Sequence, residues 1–145
     1  MNNNSQSEQG RILIRLGIVL FFLGLVTGFL IPLMINPRVG LSGHLEGIMN
    51  GMLLIIFGLI WPKLRLQNKA LRWTYILALY GAFTNWFTTL LAGLWGAGAG
   101  FMPSTGNNMV GNNFQEFVIG FGLISLSIAM LIVCILIFIG MRGKN

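Results

Sequence analysis

Four apolar stretches, each near the length of a bilayer crossing, alternate with polar or glycine-rich segments along the chain. Crossing the hydrocarbon takes about 20 helical residues, and Leu16–Pro37 is an uninterrupted uncharged run. With Arg15 reaching back to the interface along its aliphatic stem, this predicts a first helix over 12–36, its outer turn loosened by Pro32. The second uncharged run, Gly47–Pro62, has only 16 residues, short for a span. It must therefore extend back through Glu46 and His44, which places both in the outer first turns of a helix over 42–61. A third helix over 73–94 is bracketed by Trp73 and Trp95, the residue type favoured at membrane interfaces. The fourth runs over 117–141. The expected architecture is all-α, a four-helix transmembrane bundle over 11–143, behind a polar tail (1–10) that is expected to be disordered.

The connecting segments carry the turn and charge signals. Asn36-Pro37-Arg38-Val39-Gly40 is a turn by composition. Residues 96–115, rich in Gly and Asn around Pro103, form a long outer loop of the kind used as a lid or binding loop. Eight of nine basic residues (Arg11, Arg15, Lys63, Arg65, Lys69, Arg72, Arg142 and Lys144) fall on one side and Arg38 alone on the other. Excess Lys and Arg mark the cytoplasmic side, so both termini are expected there. The run behind the tail is too long for a signal-peptide core and has no clear small-residue cleavage site, so it is expected to persist as a mature helix. Composition agrees with a membrane protein: 55% apolar, 8% charged, mean hydropathy +0.80, against about 25% charged in soluble domains. The net charge of +6 then reports topology, and no nucleic-acid partner is expected. Cys134 is the single cysteine and cannot form an intrachain disulfide.

Against this apolar background, Gly43-His44-Leu45-Glu46-Gly47-Ile48-Met49-Asn50-Gly51 holds the only histidine and one of three acidic residues. Ionisable groups inside a span are costly and mark function. Glu46 and Asn50, four apart, share a helix face; His44 and Asn50, six apart, face different neighbours. Gly43, Gly47 and Gly51 clear a strip along which another helix or a flat ligand can approach. The third helix adds Tyr80, Thr84 and Thr88 on one line and Gly81, Asn85 and Thr89 on the next, with Trp86 between them. A pocket is expected between the second and third helices, with Phe83, Trp86 and Phe87 as its aromatic wall. Each residue also has a plainer role: His44 as a hydrogen-bonded structural residue, the asparagines as interhelical glue, the glycines as packing. Glu116 reads as part of a capping box, Asn113-x-x-Glu116, and Arg38 as an interface anchor.

Much chemistry is excluded. One His with no nearby Cys cannot close a zinc or copper site. The chain has no Asp, hence no Ser-His-Asp set, and Gly96-Ala97-Gly98-Ala99-Gly100 lacks the lysine and strand of a phosphate loop. A single imidazole does suffice as the proximal ligand of a haem iron, with the opposite face open as a Lewis acid. A protein this small would share so large and flat a ligand between subunits.

His44-Leu45-Glu46-Gly47-Ile48-Met49-Asn50-Gly51-Met52 resembles the His-x5-Asn-Gly-Met segment of styrene oxide isomerases, small four-helix membrane enzymes. A chain-long resemblance, over residues 11–143, is to the hydroxylaminobenzene mutases. It is carried by Gly24–Pro32, Asn36-Pro37-Arg38, Gly40-Leu41-Ser42, His44–Gly51, Gly58–Leu64, Tyr80–Trp86 and Trp95–Gly98. The resemblance implies an isomerase that moves a hydroxyl from nitrogen to the ortho carbon of hydroxylaminobenzene, giving 2-aminophenol, in the inner membrane of a nitroarene-degrading bacterium. It further implies a homotrimer holding haem b between subunits, with His44 on the iron and Asn50 beside the substrate. The epoxide isomerases use an aspartate and a tyrosine on the third helix. Here Tyr80 stands near the aspartate's place, which makes Tyr80 and Asn85 catalytic candidates alongside Asn50, with Gly47 and Gly51 as candidate cofactor contacts. In that reading ferric iron takes up the hydroxylamine oxygen and weakens the N–O bond. Two alternatives stay open: an aryl epoxide isomerase of the same architecture, and a non-enzymatic membrane subunit or transporter.

Overall fold

The computed structural model describes residues 3–106 and 108–142; Met1, Asn2, Asn107 and residues 143–145, with the Lys144 of the charge count, lie outside the described residues. The chain forms α1 (Asn3–Leu30), α2 (Pro37–Ile60), α3 (Asn68–Trp95), a single-turn α4 (Pro103–Gly106) and α5 (Asn113–Met141), with no strand among the described residues. The four long helices are each long and apolar enough to cross a membrane.

The helix ends follow from local chemistry. Pro32 has no N–H to give the α-helical ladder, and α1 passes at Leu30 into a 3-10 turn, Ile31–Leu33. Asn36 caps α2, its Oδ1 accepting from the amides of Arg38 at 3.2 Å and Val39 at 3.3 Å, with Pro37 in the first turn. Gly96, at φ 61°, closes α3 in the left-handed region that a side chain disfavours. The capping box of α5 lies one residue earlier than the sequence suggests. Asn112 and Gln115 exchange bonds of 2.9 Å, which frees Glu116 for another task. The polar start of the chain also differs from expectation, because residues 5–10 continue α1. Gln6 Nε2 donates to the carbonyls of Trp61 (2.7 Å) and Leu64 (2.9 Å), and Gln9 Oε1 accepts from Trp61 Nε1 (3.1 Å). The Gln6 amide thereby satisfies carbonyls that the end of a helix leaves open.

In space α1 packs on α2, α2 on α3 and α3 on α5, while α1 and α5 share no packed face. The α1–α2 seam is built from glycines. A Cβ on Gly24 would lie 2.6 Å from the Ile48 amide nitrogen, and one on Gly51 would lie 2.6 Å from that of Phe21. One apolar cluster, with Leu13, Leu20, Leu54, Trp61, Ala78 and Val133, fills the half near the α2–α3 turn; a smaller one, with Val39, Ala92, Ala97 and Ile119, fills the other end. Arg65 N donates to Gly140 O at 3.0 Å and Gln6 reaches Trp61 and Leu64, so the start of α1, the end of α5 and this turn share one end of the molecule. Between the clusters lies a polar layer, set by residues 46–50 of α2 and 85–89 of α3, and the site is built there.

Candidate functional site

Glu46 is the centre of the polar layer. Its Oε2 accepts from Asn50 Nδ2, one helical turn along α2, at 3.0 Å and from Asn85 Nδ2 of α3 at 2.6 Å; Asn50 Nδ2 also reaches the Glu46 carbonyl at 2.9 Å. The i, i+4 spacing puts Asn50 beside Glu46, and Asn85 comes opposite where α3 crosses α2. Thr89 completes the turn by donating to Asn85 O at 2.7 Å. Asn50 is buried, while Glu46 and Asn85 are half-buried. From sequence Asn50 and Asn85 are separate candidates and Glu46 is not among them. The structure joins all three through the carboxylate, and the signal was present: a lone acidic residue in a span, four positions before an asparagine.

This cluster faces a cavity of about 630 Å³ between α2, α3 and α5. The cavity exists because α5 packs on α3 and not on α2. Ser42, Glu46, Asn85 and Thr89 form its polar wall, Leu123, Ile124, Ile128 and Leu131 of α5 its apolar wall, and Phe101–Thr105 its roof. The roof is fastened at several points. Glu116 Oε1 accepts from the amides of Gly98 and Gly111, each at 2.8 Å, and Asn36 Nδ2 donates to Thr105 O at 3.1 Å. Both residues therefore serve the loop, which sequence reading did not foresee. The aromatic residue at the cavity is Phe101 from the roof. Phe83, Trp86 and Phe87, expected as its wall, line instead a separate depression of about 270 Å³ on α3.

His44 lies on another side of α2. Two residues from Glu46, it is turned roughly 200° around the helix and packs on α1. Its Nδ1 is 2.8 Å from Gly24 O. A carbonyl can only accept, so Nδ1 is the donor, and in the tautomer this bond selects the lone pair is on Nε2. Gly28 gives the ring its place, since a Cβ there would lie 2.9 Å from Nδ1. Gly47 and Gly51, candidates for cofactor contact, are covered by α1 backbone, and Gly47 also by Trp86. Trp86 crosses Gly47 to donate from Nε1 to Thr27 Oγ1 at 3.0 Å, and Thr27 donates to Leu23 O at 2.8 Å. These glycines serve helix packing. Tyr80 does not join Asn85. Its hydroxyl meets Ser125 Oγ at 2.7 Å on the α3–α5 face, where Ser125 donates to Gly122 O at 3.1 Å. Five residues from Asn85, it is turned roughly 140° away from it. Among the described residues no three His, Cys, Asp or Glu side chains cluster as a metal site.

Residues 9–142 match the family model described as styrene oxide isomerase. Hydroxylaminobenzene mutase HabB of Ectopseudomonas oleovorans is 54% identical over 140 residues, which is 97% of this chain and 85% of that protein. Hydroxylaminobenzene mutase HabA of the same organism is 47% identical over 124 residues, 86% of this chain and 92% of the relative. No solved structure matches.

Proposed function

Because the chain belongs to the styrene oxide isomerase family and is an isomerase, we propose that it converts hydroxylaminobenzene to 2-aminophenol inside the bacterial inner membrane. The observation that carries this reading is the identity with two hydroxylaminobenzene mutases along nearly the whole chain. Family membership sets aside the non-enzymatic reading. The cavity suits a small arene: its ring would lie between Phe101 and the α5 side chains, with the nitrogen end toward Glu46 and Asn85. The rearrangement also carries a proton from the ortho carbon to nitrogen. Glu46, the only acid on the cavity wall among the described residues, is placed to hold it in transit. Asn50 and Asn85 fix the carboxylate by their amide donors, and the fastened roof limits water.

The donor chemistry at His44 fits a haem. A single imidazole with Nε2 uncommitted, its other nitrogen oriented by a backbone carbonyl, is a donor that could hold a haem iron. Haem b held by His44 would supply a Lewis-acidic iron for the hydroxylamine oxygen. His44 and the cavity lie on different sides of α2, so the complete site is proposed to form in a homotrimer, where one copy brings its His44 side to the next. The Lys and Arg count supports a cytoplasmic position for both termini. A second reading, an aryl epoxide isomerase, is favoured by the name of the matching family.

The test is to supply hydroxylaminobenzene and styrene oxide separately to membranes carrying the protein. Formation of 2-aminophenol from the first, with little loss of the second, supports the proposal; the reverse selects the epoxide reading. His44→Ala should remove the Soret absorbance of the purified protein and leave its oligomeric state unchanged. A wild-type protein that is colourless yet fully active would overturn the haem.

A further inference from the structure

The polar wall of the cavity has a direction. Glu46 Oε2 is saturated by two amide donors from Asn50 and Asn85. Its other oxygen, Oε1, accepts from no described residue, and among those residues no buried side-chain oxygen or nitrogen lacks a partner. Oε1 therefore opens on the cavity that Glu46 lines. Most donors on the wall are already committed: both protons of Asn50 Nδ2 and one of Asn85 Nδ2 go to Glu46, and the Ser42, Thr89 and Ser127 hydroxyls donate to carbonyls of their own helices. What the carboxylate presents to a ligand is an acceptor.

We propose that Glu46 is the specificity-determining residue of this cavity, selecting small arenes that carry an N–H or O–H donor and discriminating against arenes whose polar atom is only an acceptor. An N-aryl hydroxylamine has both donors; an aryl epoxide or ketone has none. A site built to bond a donor rejects an analogue lacking it, because the buried acceptor is then left unpaired. The inference rests on the arylhydroxylamine reading above and names the atom that separates it from the epoxide reading. Asn50 and Asn85 are the positioning residues, holding Oε2 so that Oε1 faces inward.

The test uses binding and no turnover. Full-length protein purified from membranes is titrated with aniline, a donor arene, and with acetophenone, an acceptor-only arene of similar size. Affinities are expressed relative to wild type so that partition into detergent cancels. In Glu46→Gln the two asparagine donors occupy the amide oxygen, and the new NH₂ faces the cavity. Aniline should weaken at least about tenfold and acetophenone should tighten, which reverses the preference. Glu46→Met, which removes the acceptor without adding a donor, should abolish the preference, and Glu46→Asp should keep it. Aniline binding within about twofold of wild type in both the Gln and Met variants, with the oligomer intact, overturns the proposal. A protein that shows the predicted pattern but does not consume hydroxylaminobenzene overturns the proposed reaction and leaves the polarity of the cavity standing. Turnover with probes indifferent to Glu46 does the reverse.

Discussion

Replacing Gly47 by alanine tests whether the glycine strip of α2 packs helices or fronts a flat ligand. The added methyl would sit 2.8 Å from Trp86 Cδ1 and 2.9 Å from the Gly24 amide nitrogen, with the Gly24 Cα also in its way. Carbon contacts relax at about 3.5–4.0 Å, so α1 must withdraw by roughly 1 Å. That withdrawal stretches the 2.8 Å bond from His44 Nδ1 to Gly24 O beyond hydrogen-bonding range. Overpacking costs about 1–3 kcal/mol and the lost bond about 0.5–1.5, so the variant should lose about 2–4 kcal/mol. Two glycines serve as internal controls. A Cβ on Gly43 meets α3 backbone no nearer than the Leu90 amide nitrogen at 3.3 Å, with Leu90 Cα and Thr89 C at 3.5 Å, and one on Gly100 meets nothing within 4 Å, so alanine there should cost less than about 1 kcal/mol. Unfolding by SDS titration from mixed micelles, followed by far-UV circular dichroism, ranks the three. If Gly47→Ala unfolds at the same SDS fraction as Gly43→Ala, the packing argument is wrong.

Three further outcomes follow from the same geometry. Asn85→Ala removes the closer donor to Glu46 Oε2 and should lower turnover of hydroxylaminobenzene at least about tenfold, with the helix content in circular dichroism unchanged; wild-type turnover would detach Asn85 from the site. Tyr80→Phe and Ser125→Ala break the same bond, so a double-mutant cycle on unfolding should give a coupling of about 0.6 kcal/mol and no more than about 1.7; zero coupling would show that the bond is not formed in the membrane. Glu116→Ala frees both the Gly98 and Gly111 amides, which at about 1 kcal/mol or more for the pair should speed proteinase K cleavage within residues 99–110 by about tenfold; an unchanged cleavage rate would mean the loop is held elsewhere.

The fold was legible because hydrocarbon imposes one rule, a long run of apolar residues, and the four runs are unmistakable. What composition could not show was where polar residues find partners. The tail reads as disordered until Gln6 and Gln9 meet Trp61 and Leu64, more than 50 positions away. Asn112-x-x-Gln115 and Asn113-x-x-Glu116 are equal capping boxes on paper. The tie is broken by two loop amides that claim Glu116. At the site, the i, i+4 pairing of Glu46 with Asn50 was visible, and so was Asn85 as a polar residue on α3. Their union through one oxygen depends on the angle at which α3 crosses α2, which no local pattern encodes. Tyr80 failed as a partner of Asn85 for the same reason: helical phase turns it toward Ser125. The glycine strip was also plain, but a strip of bare backbone fits a ring or a helix equally well until the opposing surface is known.

The gap between α2 and α5 has a consequence for kinetics. Ile124, Ile128 and Leu131, 53–65% exposed, stand on its wall, so the mouth opens along the flank of apolar helices while the loop covers the end. A compound arriving sideways has already dissolved in oil. Its abundance at the mouth is fixed by its oil–water distribution before any side chain touches it, and moles per lipid, not moles per litre, become the natural unit for rate measurements. Diluting such an enzyme with inert phospholipid at constant total substrate should slow it as thoroughly as a competitive inhibitor.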